Sequence, residues 1–265
     1  MDGPRTLAID VGGSGLKAVV LTPDGQMVSD RNRRETPYPC PPPVLLDELA
    51  ALATTQPVYD RVSVGFPGAI RKGRVRDVTA FARPAPGRPK DPDLVAQWTG
   101  FELEAALAER FGKPTRVAND ADVQGAAVIS GHGMELVITL GTGVGCAVFF
   151  DGVLLPHMEL SHGRFGHGQS IEVACGENER HKVGKDIWRD RVMDALDTFE
   201  AMVLPDHLDI GGGNAKKLDA DKLGPSRTLV PNISGLLGGI ALWERTGDIE
   251  HPATTPGHTP APNAT

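Results

Sequence analysis

The sequence predicts an α/β protein built twice over, with two similar domains facing a cleft. Three observations carry this prediction. A glycine turn between two short apolar runs occurs at residues 12–15 and again at 141–145. Each turn belongs to the same plan of strand, glycine turn, strand, turn, strand, at residues 6–29 and 136–155, and such self-similarity marks one unit used twice. Stretches with helical spacing follow each copy. The 265 residues suffice for one large domain or two small ones, and 40% hydrophobic with 23% charged residues is ordinary for a globular chain.

The elements follow in order. Residues 6–10 form a short apolar strand ending in Asp10, and 16–21 form its partner across the first glycine turn. Pro23-Asp24-Gly25 is a turn signal, with a third short strand expected near 26–29. A dinucleotide-binding unit would instead send a helix out of its glycine loop. Five prolines make 37–43 a loop, and Leu45, Leu46, Leu49 and Leu52 give 44–54 a helical face. Residues 62–66 read as a buried strand closed by Pro67-Gly68. Residues 71–92 read as a long irregular stretch with Arg71, Lys72, Arg74, Arg76, Arg83, Arg88 and Lys90 against the single acid Asp77 before Asp91. A helix is expected over 93–111 and a strand over 115–118. Asn119-Asp120-Ala121-Asp122 then opens a helix running to about Ser130. The second copy places strands at 136–140, 146–150 and 153–155, with a hairpin turn at Asp151-Gly152. Residues 185–203 are helical, 208–210 form a strand entering Gly211-Gly212-Gly213-Asn214, and 232–243 form a last helix. Residues 246–265 hold four prolines, five threonines and almost no large apolar side chain, so a disordered tail is expected. The expected division is a first domain over 1–122, a second over 123–245, and the tail; the helix near 232–244 can pack back on the first domain.

A net charge of −7 argues against a general nucleic-acid binder, which needs a basic surplus. The apolar runs are too short to span a bilayer, which takes roughly 20 residues. No basic–apolar leader precedes the first strand, and three scattered cysteines give no disulfide framework. A soluble cytoplasmic protein is expected.

The two glycine turns are the main chemical signal, because glycines let backbone N–H groups approach an anion closely. Ser14 and Thr142 add hydroxyls for phosphate oxygens, and Asp10 suits a magnesium ion, directly or through water. Neither turn is a Walker A motif. Asn119-Asp120 has two readings: a helix cap, or a general base at Asp120 with Asn119 holding a neighbouring hydroxyl. Glu159 and His162, three residues apart, can reach one ligand together. His162, His167, Cys175 and His181 lie near one another in sequence, but without paired-cysteine spacing structural zinc is not expected. His167 and His181 read as exposed loop residues, and Cys175 as a small buried side chain. The run Gly211-Gly212-Gly213 allows close backbone approach to a flat ligand, or is simply a tight strand-to-helix turn.

Together these residues resemble the ROK sugar kinases of the hexokinase–actin superfamily. The matching stretches are residues 7–17 (LAIDVGGSGLK), 64–69 (VGFPGA), 117–122 (VANDAD), 138–147 (ITLGTGVGCA), 159–162 (ELSH) and 210–214 (IGGGN), in the family's order. Within the family the chain is most similar to polyphosphate/ATP glucokinases, being compact and lacking the cysteine motif that binds zinc. The resemblance implies an actin-like, ribonuclease H-like, duplicated two-domain fold in which sugar and phosphoryl donor meet in the cleft. It implies a first phosphate hairpin of Asp10, Gly12, Gly13, Ser14 and Lys17, with Asp10 near magnesium. Gly141, Thr142 and Gly143 form the second, and Gly211, Gly212 and Gly213 face an adenine. Asp120 is the implied base beside Asn119; Glu159, His162 and Glu172 are the implied ligands of sugar hydroxyls.

Three departures from the family pattern stand out. Ser161 replaces the glycine of Glu-x-Gly-His. Only Cys175-Gly176 stands where many relatives place the zinc motif. Residues 78–84 lack the asparagine–tryptophan sugar loop expected after Pro67-Gly68. The implied activity is phosphorylation of glucose at its 6-hydroxyl from polyphosphate or ATP, with the basic stretch 71–90 as a track for a polyanion or a plain solvated loop. The alternatives are a kinase of another sugar (N-acetylmannosamine, N-acetylglucosamine or fructose) and a non-catalytic sugar-binding regulator. A homodimer is expected from the resemblance, and neither a nucleic-acid nor a membrane partner.

Overall fold

The computed structural model describes residues 3–231 and 235–245. The chain opens with the antiparallel pair β1 (Thr6–Val11) and β2 (Leu16–Leu21), in a register that sets Asp10 opposite Lys17. The third strand, β3 (Asn32–Arg34), lies beyond the expected 26–29. Around Met27 the chain makes just the isolated bridge to Leu21, and Met27 is 66% exposed. With no buried face, that segment has nothing to hold it in a ladder. Next come α1 (Pro42–Ala53) and β4 (Arg61–Phe66).

The stretch expected to be irregular starts with a hairpin, β5 (Gly68–Arg71) and β6 (Arg74–Val78), turning at Lys72-Gly73 with both residues at positive φ. Ile70, Val75 and Val78 are buried, so alternate positions reach the core between the arginines. The helix expected over 93–111 is two: α2 (Pro92–Trp98) and α3 (Leu103–Phe111). Gly100, at φ 79°, lies between them and ends the first. Strand β7 (Thr115–Asn119) feeds α4 (Asp120–Ala126), which stops short of Ser130.

The second copy runs β8 (Met134–Leu140), β9 (Val144–Phe150) and β10 (Val153–Leu154). Then come α5 (Ile171–Ala174), α6 (Glu177–Val183) and the long α7 (Lys185–Val203), followed by β11 (His207–Gly211) and β12 (Arg227–Leu229). Helix α8 (Gly235–Arg245) ends the described chain. Its expected start at 232 and the tail 246–265 lie outside the described residues.

The strands make two five-stranded sheets of matching design, ordered β3-β2-β1-β4-β7 and β10-β9-β8-β11-β12. In each, an antiparallel meander continues into parallel strands: Ile9 pairs with Val64 and Val64 with Val117, as Ile138 pairs with Ile210. Alternate residues face opposite sides, so each sheet buries two faces. Leu7, Ile9 and Val11 pack with Leu45, Leu49 and Trp98 in one outer core. Leu136, Ile138 and Leu140 pack with Trp188, Leu196 and Phe199 in the other. The inner faces meet α4 and α8. Ala8, Val19 and Leu21 hold Leu236 and Ile240, while Val137 and Phe149 cluster with Val123, Ala126 and Leu242.

Helix α8 thus crosses from the second sheet back to the first. Gly238 lets it touch α4: a Cβ there would lie 1.7 Å from the Val123 carbonyl oxygen. Trp243 locks its end, donating to Ser63 Oγ at 2.8 Å while the guanidinium groups of Arg61 and Arg116 lie 5.0 and 4.6 Å from its ring. Among the described residues no helix is long and apolar enough to cross a membrane.

Candidate active site

The parallel strands β4, β7, β8 and β11 end at a common gap, where open α/β sheets place ligands. The gap is a cleft of about 470 Å³. Its lining includes Asn119, Asp120, Gly141–Gly145, Glu159, His162, Glu172, Gly212 and Gly213, so four separate parts of the sequence meet there.

Asn119 ends β7 and caps α4. Its Oδ1 accepts from Ala121 N at 2.8 Å, and its Nδ2 donates to Gly68 O at 3.0 Å. The capping role is therefore real, and Asp120 takes a different one. Its Oδ1 accepts from Ala121 N at 2.9 Å while the residue lines the cleft. Burial, with the Asp10 charge beside it, pushes this carboxyl up to about 7. A carboxylate so tuned can take a proton at neutral pH and give it up again.

Glu159, His162 and Glu172 form one cluster. His162 Nε2 lies 3.5 Å from Glu159 Oε2 and 3.3 Å from Glu172 Oε2. Glu159 itself stays below the usual carboxylate range: burial opposes this, but the neighbouring His157, with the charge of His162, prevails. His157 carries no signal in the sequence. It is buried, with Nδ1 at 3.0 and 2.9 Å from the Asp122 oxygens. No spacing rule marks it, because Asp122 lies 35 residues away. Burial works against its charge, yet the Asp122 carboxylate lifts it to about 10. Ser161 is buried beside this cluster.

The second glycine turn closes on itself through Gly141 N donating to Gly143 O at 3.0 Å. It is braced from β11: Asn214 Nδ2 donates to Gly141 O at 3.0 Å and to Glu177 Oε2 at 2.7 Å, and Asn214 N donates to Leu140 O at 2.9 Å. Gly212 makes this possible, since at φ 89° a Cβ would lie 2.4 Å from Leu140 O. Gly211 sits one step back, behind the cleft wall.

The first glycine turn is built similarly, with Gly12 N donating to Gly15 O at 3.0 Å. Thr36 and Tyr38 donate to the Gly12 and Gly13 carbonyls at 2.6 and 2.8 Å, which leaves the turn's shape fixed by three hydrogen bonds. Asp10, Gly12, Gly13, Ser14 and Lys17 stand outside the cleft lining, and Lys17 Nζ pairs with Asp10 at 2.8 Å.

Among the described residues, the histidines and cysteine near the second copy form no common metal-binding group. His181 pairs with Glu177 instead of His162, and the His167 side chain lies outside the described residues. Cys175 is buried, its thiol pushed up to about 12 by burial, which leaves it inert.

The ROK family profile matches residues 6–180. The polyphosphate glucokinase of Mycobacterium tuberculosis is 30% identical over 247 residues, covering 87% of this chain and 88% of that protein. The N-acetylmannosamine kinase of Escherichia coli is 34% identical over 169 residues, 61% of this chain and 53% of that one. Among solved structures, the inorganic polyphosphate/ATP-glucomannokinase from Arthrobacter sp. strain KM superposes with a TM-score of 0.74 at 28% identity, over 91% of this chain and all (100%) of that one. The chain belongs to the ROK family, as a sugar kinase with the actin-like two-domain fold.

Proposed function

We infer that the chain transfers a phosphoryl group from polyphosphate or ATP to the 6-hydroxyl of glucose. One observation carries the reading: in a single cleft, the Asp120 carboxyl, tuned to about 7, stands among the second glycine turn and the Glu159–His162–Glu172 cluster. Glu159, His162 and Glu172 hold ring hydroxyls, and Asn119 offers its remaining amide proton beside them. Asp120 accepts the 6-hydroxyl proton as the new O–P bond forms and the bond to the donor's bridging oxygen breaks. The N–H groups of Gly13, Ser14, Thr142 and Gly143 hold the phosphates, on turns that the Gly12 and Gly141 N–H groups close, Gly211–Gly213 lie toward the nucleotide base, and Lys17 steadies Asp10. Fixing both reactants in one cleft supplies most of the rate, since phosphoryl transfer depends on position and charge.

Magnesium fits this residue set. Asp10 is a hard oxygen donor, and among the described residues no group of three or more metal-binding side chains forms a protein cage. A single carboxylate shared with donor phosphates and water is the usual magnesium arrangement. When bound, the ion supplies neutralisation of charge on the donor. The cleft then divides units at 1–122 and 123–245. The family resemblance supports a cytoplasmic homodimer.

A second reading is a kinase of another hexose. Thr79 and Ala80 line the cleft where the expected sugar loop is absent, and the N-acetylmannosamine kinase match favours the same reading.

The test measures release of sugar 6-phosphate from glucose, mannose and N-acetylmannosamine, each with ATP and with polyphosphate. Turnover of glucose that Asp120→Asn abolishes is the expected result. Turnover confined to another sugar moves the conclusion to the second reading, and none with any pair overturns both.

A further inference from the structure

One titratable group at the cleft has no part in the transfer scheme above. The His157 side chain is 4% exposed and that of Asp122 is 3% exposed. Nδ1 meets both Asp122 oxygens, and Nε2 lies 3.3 Å from Glu159 Oε1, with the residue also lining the cleft. A neutral imidazole has one N–H and can serve one carboxylate; the other nitrogen would then turn a lone pair on a negative oxygen. Carboxylates at both ends therefore demand the doubly protonated ring.

The remaining groups around the ring fit this assignment. Arg71 of β5 donates to the His157 carbonyl at 2.7 Å, fixing the backbone. Cys146 of β9 is buried, with its thiol pushed up to about 12, so it brings no charge. Asp77 of β6 and His162 act on Glu159 with opposite signs.

We propose that His157 is a positioning residue for the sugar: an imidazolium anchored on Asp122 at one nitrogen, it holds the Glu159 carboxylate at the other, turned toward the ring hydroxyls. The contact to Glu159 is an ion-pair distance without hydrogen-bond alignment. It therefore restrains the carboxylate while leaving its lone pairs for a ligand. Asp122 is the support that makes this possible, since without it the ring would shed its proton in so dry a place. The inference rests on the sugar-kinase reading.

Two measurements test it. Histidine-labelled NMR of the whole protein, with the His157 signal assigned by its loss in His157→Gln, should show both ring nitrogens protonated through pH 8. A ring that is neutral at pH 7 overturns the proposal. The second is a double-mutant cycle in sugar KM. His157→Gln and Glu159→Gln should each raise KM about tenfold with kcat within about threefold, and the double variant should be no worse than Glu159→Gln alone. Additive effects, or a fall in kcat with KM unchanged, would make His157 a structural residue and overturn it. If His157→Gln does not fold, His157→Asn takes its place for assignment and cycle, and the NMR result in the unmodified protein still decides. Absence of sugar turnover by the unmodified protein would be a failure of the kinase reading, and is told apart by that control.

Discussion

Asp120→Asn should remove transfer and at the same time stabilise the fold. The carboxyl titrates near the ordinary 3.8 in an unfolded chain and at about 7 in the folded one. The unfolded state therefore releases its proton first. The folded state has its full relative stability below pH 3.8, loses it as pH rises toward 7, and carries the whole penalty above that. The gap corresponds to about 4 kcal/mol as a ceiling. Water in the open cleft screens the charge, so about 1–2 kcal/mol is the expected gain on neutralising it. Asparagine keeps the bond that Ala121 N donates to Oδ1, so the start of α4 is undisturbed. At pH 8 the variant should melt about 2–6 °C above the parent. The advantage should shrink as pH falls and vanish near pH 4. Its turnover should fall by about 10²–10⁴, and the parent's kcat/KM should drop on the acid side with a midpoint near 7. Calorimetric melting of both proteins at pH 8, 6 and 4 is the assay. A variant no more stable than its parent at pH 8, or one whose advantage is the same at all three, would refute the reasoning.

Two further outcomes follow from the packing. Gly212→Ala puts a Cβ against the Leu140 backbone at a positive φ, so it should lower stability by about 2 kcal/mol or more and weaken donor binding, read as a raised donor KM. Trp243→Ala removes a ring held by Arg61, Arg116 and Ser63; denaturant unfolding should show a loss of about 3 kcal/mol, with sugar KM little changed because Trp243 does not line the cleft.

The parts of the fold that were legible in the sequence are those where local chemistry decides. Glycine turns between alternating strands announce themselves, so β1, β2, β8 and β9 emerge from the sequence, and α7 matches its expected span of 185–203. The parts that were hidden depend on distant partners. Ile70, Val75 and Val78 sit among prolines and arginines, and their burial under the first outer core is what makes β5 and β6 strands. The break at Gly100 is a backbone decision that side-chain periodicity does not register. In the site, Asp120, Glu159, His162 and Glu172 came from motif and resemblance, and the cleft brings them together. His157 could be found just from the fold, because what distinguishes it is a carboxylate contributed by α4, 35 residues away.

The return of α8 to the first sheet has a consequence for how the chain is made. Ala8, Val19 and Leu21 emerge early in synthesis, but Leu236 and Ile240, which cover them, follow only after the whole second sheet. Until then the growing polypeptide carries a sheet finished on one side and bare on the other. The first half can form its hydrogen-bonded ladder on the ribosome and still be sticky toward its neighbours. Completion of both halves is thereby deferred to a single late event, the docking of an eleven-residue helix. A chain cut short before that helix would keep every side chain that lines the cleft and still have an apolar surface to hide.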